Sequence, residues 1–151
     1  GIYRVKIDSS LQKGSLTYGD LLLPGELEEE ILFSSYLCHP SMANNELSGP
    51  ITLAFLYQEL KKIKNRKYSI RFVIAPETIG AICYLQNNKE ELLNKIKAGF
   101  VLTCCGDNGS ITYKKTRREQ SITDRITEHV LGNSDQNFDT LPFDPLGRVP
   151  T

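Results

Sequence analysis

Three short polar stretches carry side chains able to do chemistry together. The first, C-H-P-S-M-A-N-N-E-L-S-G at residues 38–49, sets His39 directly behind an apolar run and ahead of a polar loop. An imidazole fixed at a strand end can give one nitrogen to a metal while an acceptor holds the other. Asn44, Asn45 and Glu46 follow several residues later, a spacing that lets the loop fold back on the same ion. His39, with oxygens from among Asn44, Asn45 and Glu46, therefore supplies the expected metal ligands. The competing reading makes His39 a packed core histidine, with Asn45 and Ser48 capping the next helix. The second stretch, A-P-E-T-I-G at 75–80, puts Glu77 where a strand gives way to a helix. A carboxylate near the positive end of a helix can act as general base toward a water activated by a metal. Its plainer alternative is a helix-terminal Glu held by the same dipole. In the third, C-C-G-D-N-G at 104–109, Asp-Asn-Gly reads first as turn chemistry for Asp107.

In open α/β sheets ligands gather outside the carboxyl ends of the strands, so these stretches need strands that end in front of them. Residues 31–37 form a nearly continuous apolar run, expected as a central strand buried on both faces. Residues 68–75 form a second β-rich run and 100–105 a third, with 110–113 a short strand. Between them, Ile51, Leu53, Ala54, Leu56, Tyr57, Leu60 and Ile63 recur at helical spacing, opened by Ser48-Gly49-Pro50. A helix is expected from Gly80 through Leu85, a separate short one over 90–96, and an amphipathic one over 122–131. At the start, 2–8 alternates apolar and charged residues, and 15–23 runs to the turn pair Pro24-Gly25. Together they predict a β-hairpin or meander. Beyond Gly132 the text is loop-like to the end, with Pro142, Pro145 and Pro150 and no periodicity. The order β-β-β-α-β-α-α-β-β-α argues a three-layer α/β domain, one domain over 1–151.

Composition narrows the function classes. In 151 residues, 40% hydrophobic and 24% charged, one compact core is the expectation. Lys plus Arg and Asp plus Glu balance at 18 each, so no net field favours nucleic acid or an anionic membrane surface. Apolar runs such as 70–76 are too short to span a bilayer, and the opening Gly1-Ile2-Tyr3-Arg4 holds no signal peptide. Cys38, Cys83, Cys104 and Cys105 show no C-x-x-C spacing, which predicts buried free thiols in a reducing cytoplasm instead of a zinc ribbon or redox motif. No G-x-S-x-G elbow, Walker loop or dinucleotide fingerprint occurs, which removes the usual support for serine hydrolase, NTPase and Rossmann readings. The basic cluster at 114–118 reads as a solvated turn or a contact to an acidic partner.

Taken in order, Ile7-Asp8-Ser9 with Gly14-Ser15-Leu16, Cys38-His39-Pro40-Ser41 through Leu47-Ser48-Gly49, Pro76-Glu77-Thr78-Ile79-Gly80, Gly106-Asp107, Tyr113-Lys114, Asp124-Arg125 and His129-Val130-Leu131 span nearly the whole chain. This text resembles a bacterial aminopeptidase-like family, related to the dinuclear zinc aminopeptidases and associated with polysaccharide-biosynthesis genes. The resemblance implies a phosphorylase/hydrolase-like zinc peptidase domain with a mixed sheet, and metal-assisted hydrolysis of an amino-terminal peptide bond. It implies Zn²⁺ as cofactor and a peptide or amino-acyl small molecule as substrate, with neither nucleic acid nor membrane expected as a partner. Under it, His39 matches the first metal ligand, Asn45 stands where a metal-bridging aspartate is usual, and Glu77 falls at the general base. Thr78 and Thr103 depart from the pattern, standing where a second glutamate and a ligand aspartate are expected. The family continues past Phe143-Asp144-Pro145 into further ligands and carries a lid-like inserted domain ahead of residue 1, so the chain is expected to be an incomplete domain. Asn45 and Thr78 favour a rival, a non-catalytic peptidase-like binding or scaffolding module in surface-polysaccharide biosynthesis.

Overall fold

The computed structural model describes residues 1–144. Four strands, β1 (Gly19–Leu23), β2 (Leu27–Tyr36), β3 (Tyr68–Ala75) and β4 (Ile96–Val101), form a sheet in the order β1-β3-β2-β4. β1 runs antiparallel to β3, while β2 is parallel to both β3 and β4. Three helices accompany it, α1 (Ser48–Lys62), α2 (Ile79–Lys95) and α3 (Ile122–Gly132). A separate two-stranded parallel sheet joins β5 (Ile111–Lys114) to β6 (Phe138–Leu141).

The apolar runs explain the layering. Successive side chains of a strand point to opposite faces, so Ile70, Phe72 and Ile74 of β3 meet one helix and Val73 and Ala75 the other. On the first face Leu53, Leu56, Tyr57 and Leu60 of α1 pack with Leu23, Phe33, Ile70 and Phe72. On the second, Tyr84 and Leu92 of α2 pack with Leu32, Val73 and Ala75. The result is a mixed sheet between helices, the three-layer α/β arrangement expected from the pattern. Phe33 anchors its centre, stacked at 5.9 Å from Phe72 and 5.2 Å from Phe100. α3 rests on β4, where the Gly99 amide donates to Thr123 Oγ1 at 3.3 Å.

Two buried charged groups hold these layers in register. Arg71 of β3 donates to both oxygens of Glu30, at 2.5 and 3.0 Å, to Asp20 at 2.9 Å and to Glu91 of α2 at 2.8 Å. A buried guanidinium is tolerated only when its donors are matched in this way. At the start of α3, buried Asp124 accepts from Tyr113, Thr116 and Ser121 and completes a capping box with Ser121. Burial works to raise its carboxyl, but these hydrogen bonds outweigh it and hold the group well below the usual range.

Several expected elements differ. Residues 1–18 form no strand, and Ile2, Tyr3, Val5 and Ile7 are exposed; the alternation finds no partner strand to pair with. Within the second run of the expected hairpin only Gly19–Leu23 forms a strand, β1, and it pairs with β3 instead of with residues 2–8. The two helices expected over 80–96 are one, α2, since Gln86 and Asn87 continue as exposed helix surface and half-buried Asn88 donates to the Tyr84 carbonyl at 2.9 Å. The third strand lies at 96–101 and not 100–105. β6 occupies part of the tail expected to be loop, while Pro145 and Pro150 lie outside the described residues. All four cysteines are free, but Cys38, Cys83 and Cys105 are exposed and not buried. None of the described helices is long and apolar enough to cross a membrane.

Candidate metal centre at the carboxyl edge of the sheet

Because β2, β3 and β4 are parallel, their carboxyl ends emerge on one edge, and the segments that follow Tyr36, Ala75 and Val101 collect there. That edge brings together residues far apart in sequence. His39 Nε2 faces Glu77 Oε2 at 3.8 Å. The Cys38 sulfur accepts a hydrogen bond from the Glu77 amide at 3.2 Å and lies 3.3 Å from His39 Nδ1. One ligand atom from each of Cys38, His39 and Glu77 lies within 4.8 Å of the other two, and all three residues are exposed. Thiol, imidazole and carboxylate are the donor types a zinc ion takes. The residues present therefore fit the implied metal.

Glu46 fixes the imidazole. It belongs to a single π-helical turn, Ala43–Leu47, that runs straight into α1, and it is only 1% exposed. Its Oε1 meets His39 Nδ1 at 2.6 Å, and its Oε2 accepts the amide of Cys38. Burial pushes this carboxyl up, but hydrogen bonds from the Cys38 and His39 backbone and from the imidazole bring it below the usual carboxylate range. An ionised carboxylate only accepts, so the ring proton sits on Nδ1 and Nε2 is turned toward Glu77. Expected as a direct metal ligand, Glu46 instead stands behind the imidazole with both oxygens engaged.

The other polar residues of the loop clip the third segment into place. Asn44 donates to Asp107 Oδ2 at 2.9 Å and accepts the Gly106 amide at 2.8 Å. Asp107 also accepts from the Gly109 amide at 2.8 Å, the turn role its sequence suggested. Asn45 places its amide nitrogen 3.8 Å from the Cys104 sulfur. Ser48 Oγ accepts from the Cys105 amide at 2.8 Å and donates to the Asn44 carbonyl. No side chain caps α1, so the capping alternative for Asn45 and Ser48 does not hold. Gly49 is required at this junction, because a Cβ there would fall 2.2 Å from Ser35 Oγ and 2.4 Å from the Leu102 carbonyl.

Tyr36, the last residue of β2, escaped the sequence reading because it looked like one more apolar strand residue. Its hydroxyl accepts from Thr103 Oγ1 at 2.6 Å. Burial raises the phenol against that hydrogen bond, and the charges of Cys104, Glu77 and Glu46 raise it further. It stays protonated beside the site, and its place at the end of a central strand was the available signal. Thr103 thus takes part as Tyr36's partner.

Backbone strain marks the same rim. Ser41, Thr78 and Cys104 are three of the four described non-glycine residues with positive φ. At Thr78 the angles φ 57° and ψ −73°, with the Ile79 amide 2.6 Å from the Glu77 carbonyl, describe a γ-turn of the rare, strained hand. This turn separates β3 from α2 in three residues and leaves Glu77 at the edge facing His39. Such strain persists where surrounding structure enforces it, commonly at functional sites.

Comparison with known proteins matches residues 6–149 to the family described as "Domain of unknown function (DUF4910)". A curated relative from Clostridium acetobutylicum, named "Putative polysaccharide biosynthesis protein with aminopeptidase-like domain", is 49% identical over 145 residues, covering 96% of this chain and 33% of that protein. A crystal structure described as a "putative peptidase" from Clostridium acetobutylicum superposes with a TM-score of 0.81 at 44% identity, covering 85% of this chain and 30% of that one. The chain thus spans about a third of the length of these relatives. It belongs to this family, whose relatives here carry aminopeptidase-like and peptidase descriptions.

Proposed function

From membership of that family, we propose that this chain carries the metal-dependent catalytic edge of an aminopeptidase-like hydrolase acting on an amino-terminal peptide bond. The observation that carries the reading is the pair formed by His39, oriented from behind by buried Glu46, and Glu77 facing its free Nε2 at 3.8 Å. His39 would hold Zn²⁺ through Nε2, and Asn45 is the remaining expected donor of the same loop, through its amide oxygen. When bound, the ion would polarise the scissile carbonyl and make the attacking water more acidic. Glu77 would take the proton of that water, being exposed and within reach of whatever His39 holds. Tyr36, kept protonated, can donate to an oxygen that gains charge. Glu46 keeps the imidazole in the tautomer this needs. The substrate would be a peptide or an amino-acyl small molecule, and the description of the relative points to polysaccharide biosynthesis as its setting.

The experiment is Glu77→Gln in the full-length natural protein. The amide keeps the shape and removes the base, so turnover of amino-acyl peptides should fall by about 100-fold or more while zinc affinity changes little. Retained turnover would return Glu77 to a helix-terminal charge. A second reading, a peptidase-like binding or scaffolding module, is favoured by one observation. The third segment's acid, Asp107, is tied to Asn44 and Gly109, and where the resemblance expects a bridging aspartate this chain has the neutral amide of Asn45. A full-length protein that binds no zinc and cleaves no amino-acyl peptide would establish that module.

A further inference from the structure

We infer that Cys38 is a ligand of the bound cation, supplying the negative charge that Asn45 cannot. The inference rests on the reading that this edge holds a divalent ion, and it adds a ligand that neither the resemblance nor the loop spacing assigned. Asn45 offers only a neutral oxygen and His39 only a neutral nitrogen. With Glu46 turned behind the imidazole and Asp107 tied into its turn, the donors able to carry negative charge that are grouped with His39 are Glu77 and Cys38. If Glu77 acts on water, a dication held by His39 and an amide would be poorly neutralised, and the Cys38 thiolate restores a charged donor. Geometry agrees with this assignment. The sulfur is exposed, sits directly before His39, and lies with His39 and Glu77 in a group whose ligand atoms are within 4.8 Å of one another. The Glu77 amide donates to it at 3.2 Å, which holds the sulfur at the rim shared by the other two residues. A thiolate ligand biases such a site toward zinc and cobalt over magnesium, calcium and manganese, which prefer oxygen.

The test uses the full-length protein loaded with Co²⁺ in place of zinc, together with zinc affinity by chelator competition. Cys38 ligation predicts a thiolate-to-cobalt charge-transfer band in the near ultraviolet that Cys38→Ser abolishes and Cys83→Ser leaves unchanged. Zinc affinity should fall by about tenfold or more in Cys38→Ser. An unmutated control removes dependence on the variant's folding. Saturating zinc should slow iodoacetamide alkylation of Cys38, in which the sulfur displaces iodide to form a C–S bond, by about tenfold relative to exposed Cys83. Zinc binding abolished by His39→Ala, with the band and affinity intact in Cys38→Ser and no protection of Cys38, would overturn the inference and leave the metal site standing. Absence of any His39-dependent zinc binding would overturn both.

Discussion

Replacing Glu46 by Gln changes one atom and should disable the site without touching its exposed face. In the wild type both Glu46 oxygens accept, one from the Cys38 amide and one from His39 Nδ1 at 2.6 Å. Gln has one acceptor. If its oxygen stays with the Cys38 amide, its NH₂ must point at Nδ1, which is satisfied only when the ring proton moves to Nε2. That nitrogen would then lack the lone pair a metal needs. Binding zinc in the variant requires moving the proton back and leaving a buried N–H against an NH₂, which costs about 1–3 kcal/mol. Each tenfold change in affinity corresponds to about 1.4 kcal/mol, so this translates to roughly 10- to 100-fold weaker zinc binding, the range typical of losing such an orienting partner. Stability should also fall by about 2 kcal/mol, because two charge-assisted hydrogen bonds become neutral ones. Chelator competition at neutral pH reads the affinity, imidazole ¹⁵N shifts read the tautomer, and guanidinium denaturation reads the stability. Unchanged zinc affinity together with an unprotonated Nε2 in the variant would refute the orienting role assigned to Glu46.

Two further outcomes are expected. Asn45→Asp should strengthen zinc binding in the full-length protein, because an anionic oxygen attracts a dication more than an amide does, and competition titration would show unchanged or weaker affinity if Asn45 serves only as a packing partner of Cys104. Thr78→Gly should raise stability by about 1 kcal/mol, the relief of a strained γ-turn less the added chain entropy of glycine, and a lower urea midpoint would show that the turn costs little.

The placement of His39 and Glu77 on one rim was readable before any coordinates, and the reason is topological. Apolar runs at 31–37 and 68–75 are too short for spanning helices and too continuous for half-exposed strands, so they had to be interior and, with a helix between them, parallel. Parallel neighbours end on the same edge, which makes the polar residues after each run neighbours in space. The same logic failed at 2–8, where alternation describes what a strand would bury if it had a partner, and nothing in the pattern tells whether one exists. The second half of the expected hairpin does form a strand, but its partner lies far along the chain. β3 took the position beside β1, where Arg71 reaches both Glu30 and Asp20.

Roles inside the site were less legible than their location, since they depend on single turns. Glu46 follows His39 by seven residues, a spacing at which a metal ligand and an orienting acceptor look the same. The π-helical turn decides between them, burying the carboxylate behind the ring. Cys38 was set aside because the cysteines lack paired spacing, a rule that applies to closed structural sites built from one segment. An open site is assembled from different strand ends, and its ligands need share no spacing at all: the sulfur of Cys38 meets the amide of a residue 39 positions later. The strained turn at Thr78 is what completes that meeting. A relaxed turn there would carry Glu77 along with the start of α2, away from the ring it faces, so the cost of an unfavourable backbone angle is offset by the closeness of the two groups on which the proposed chemistry depends.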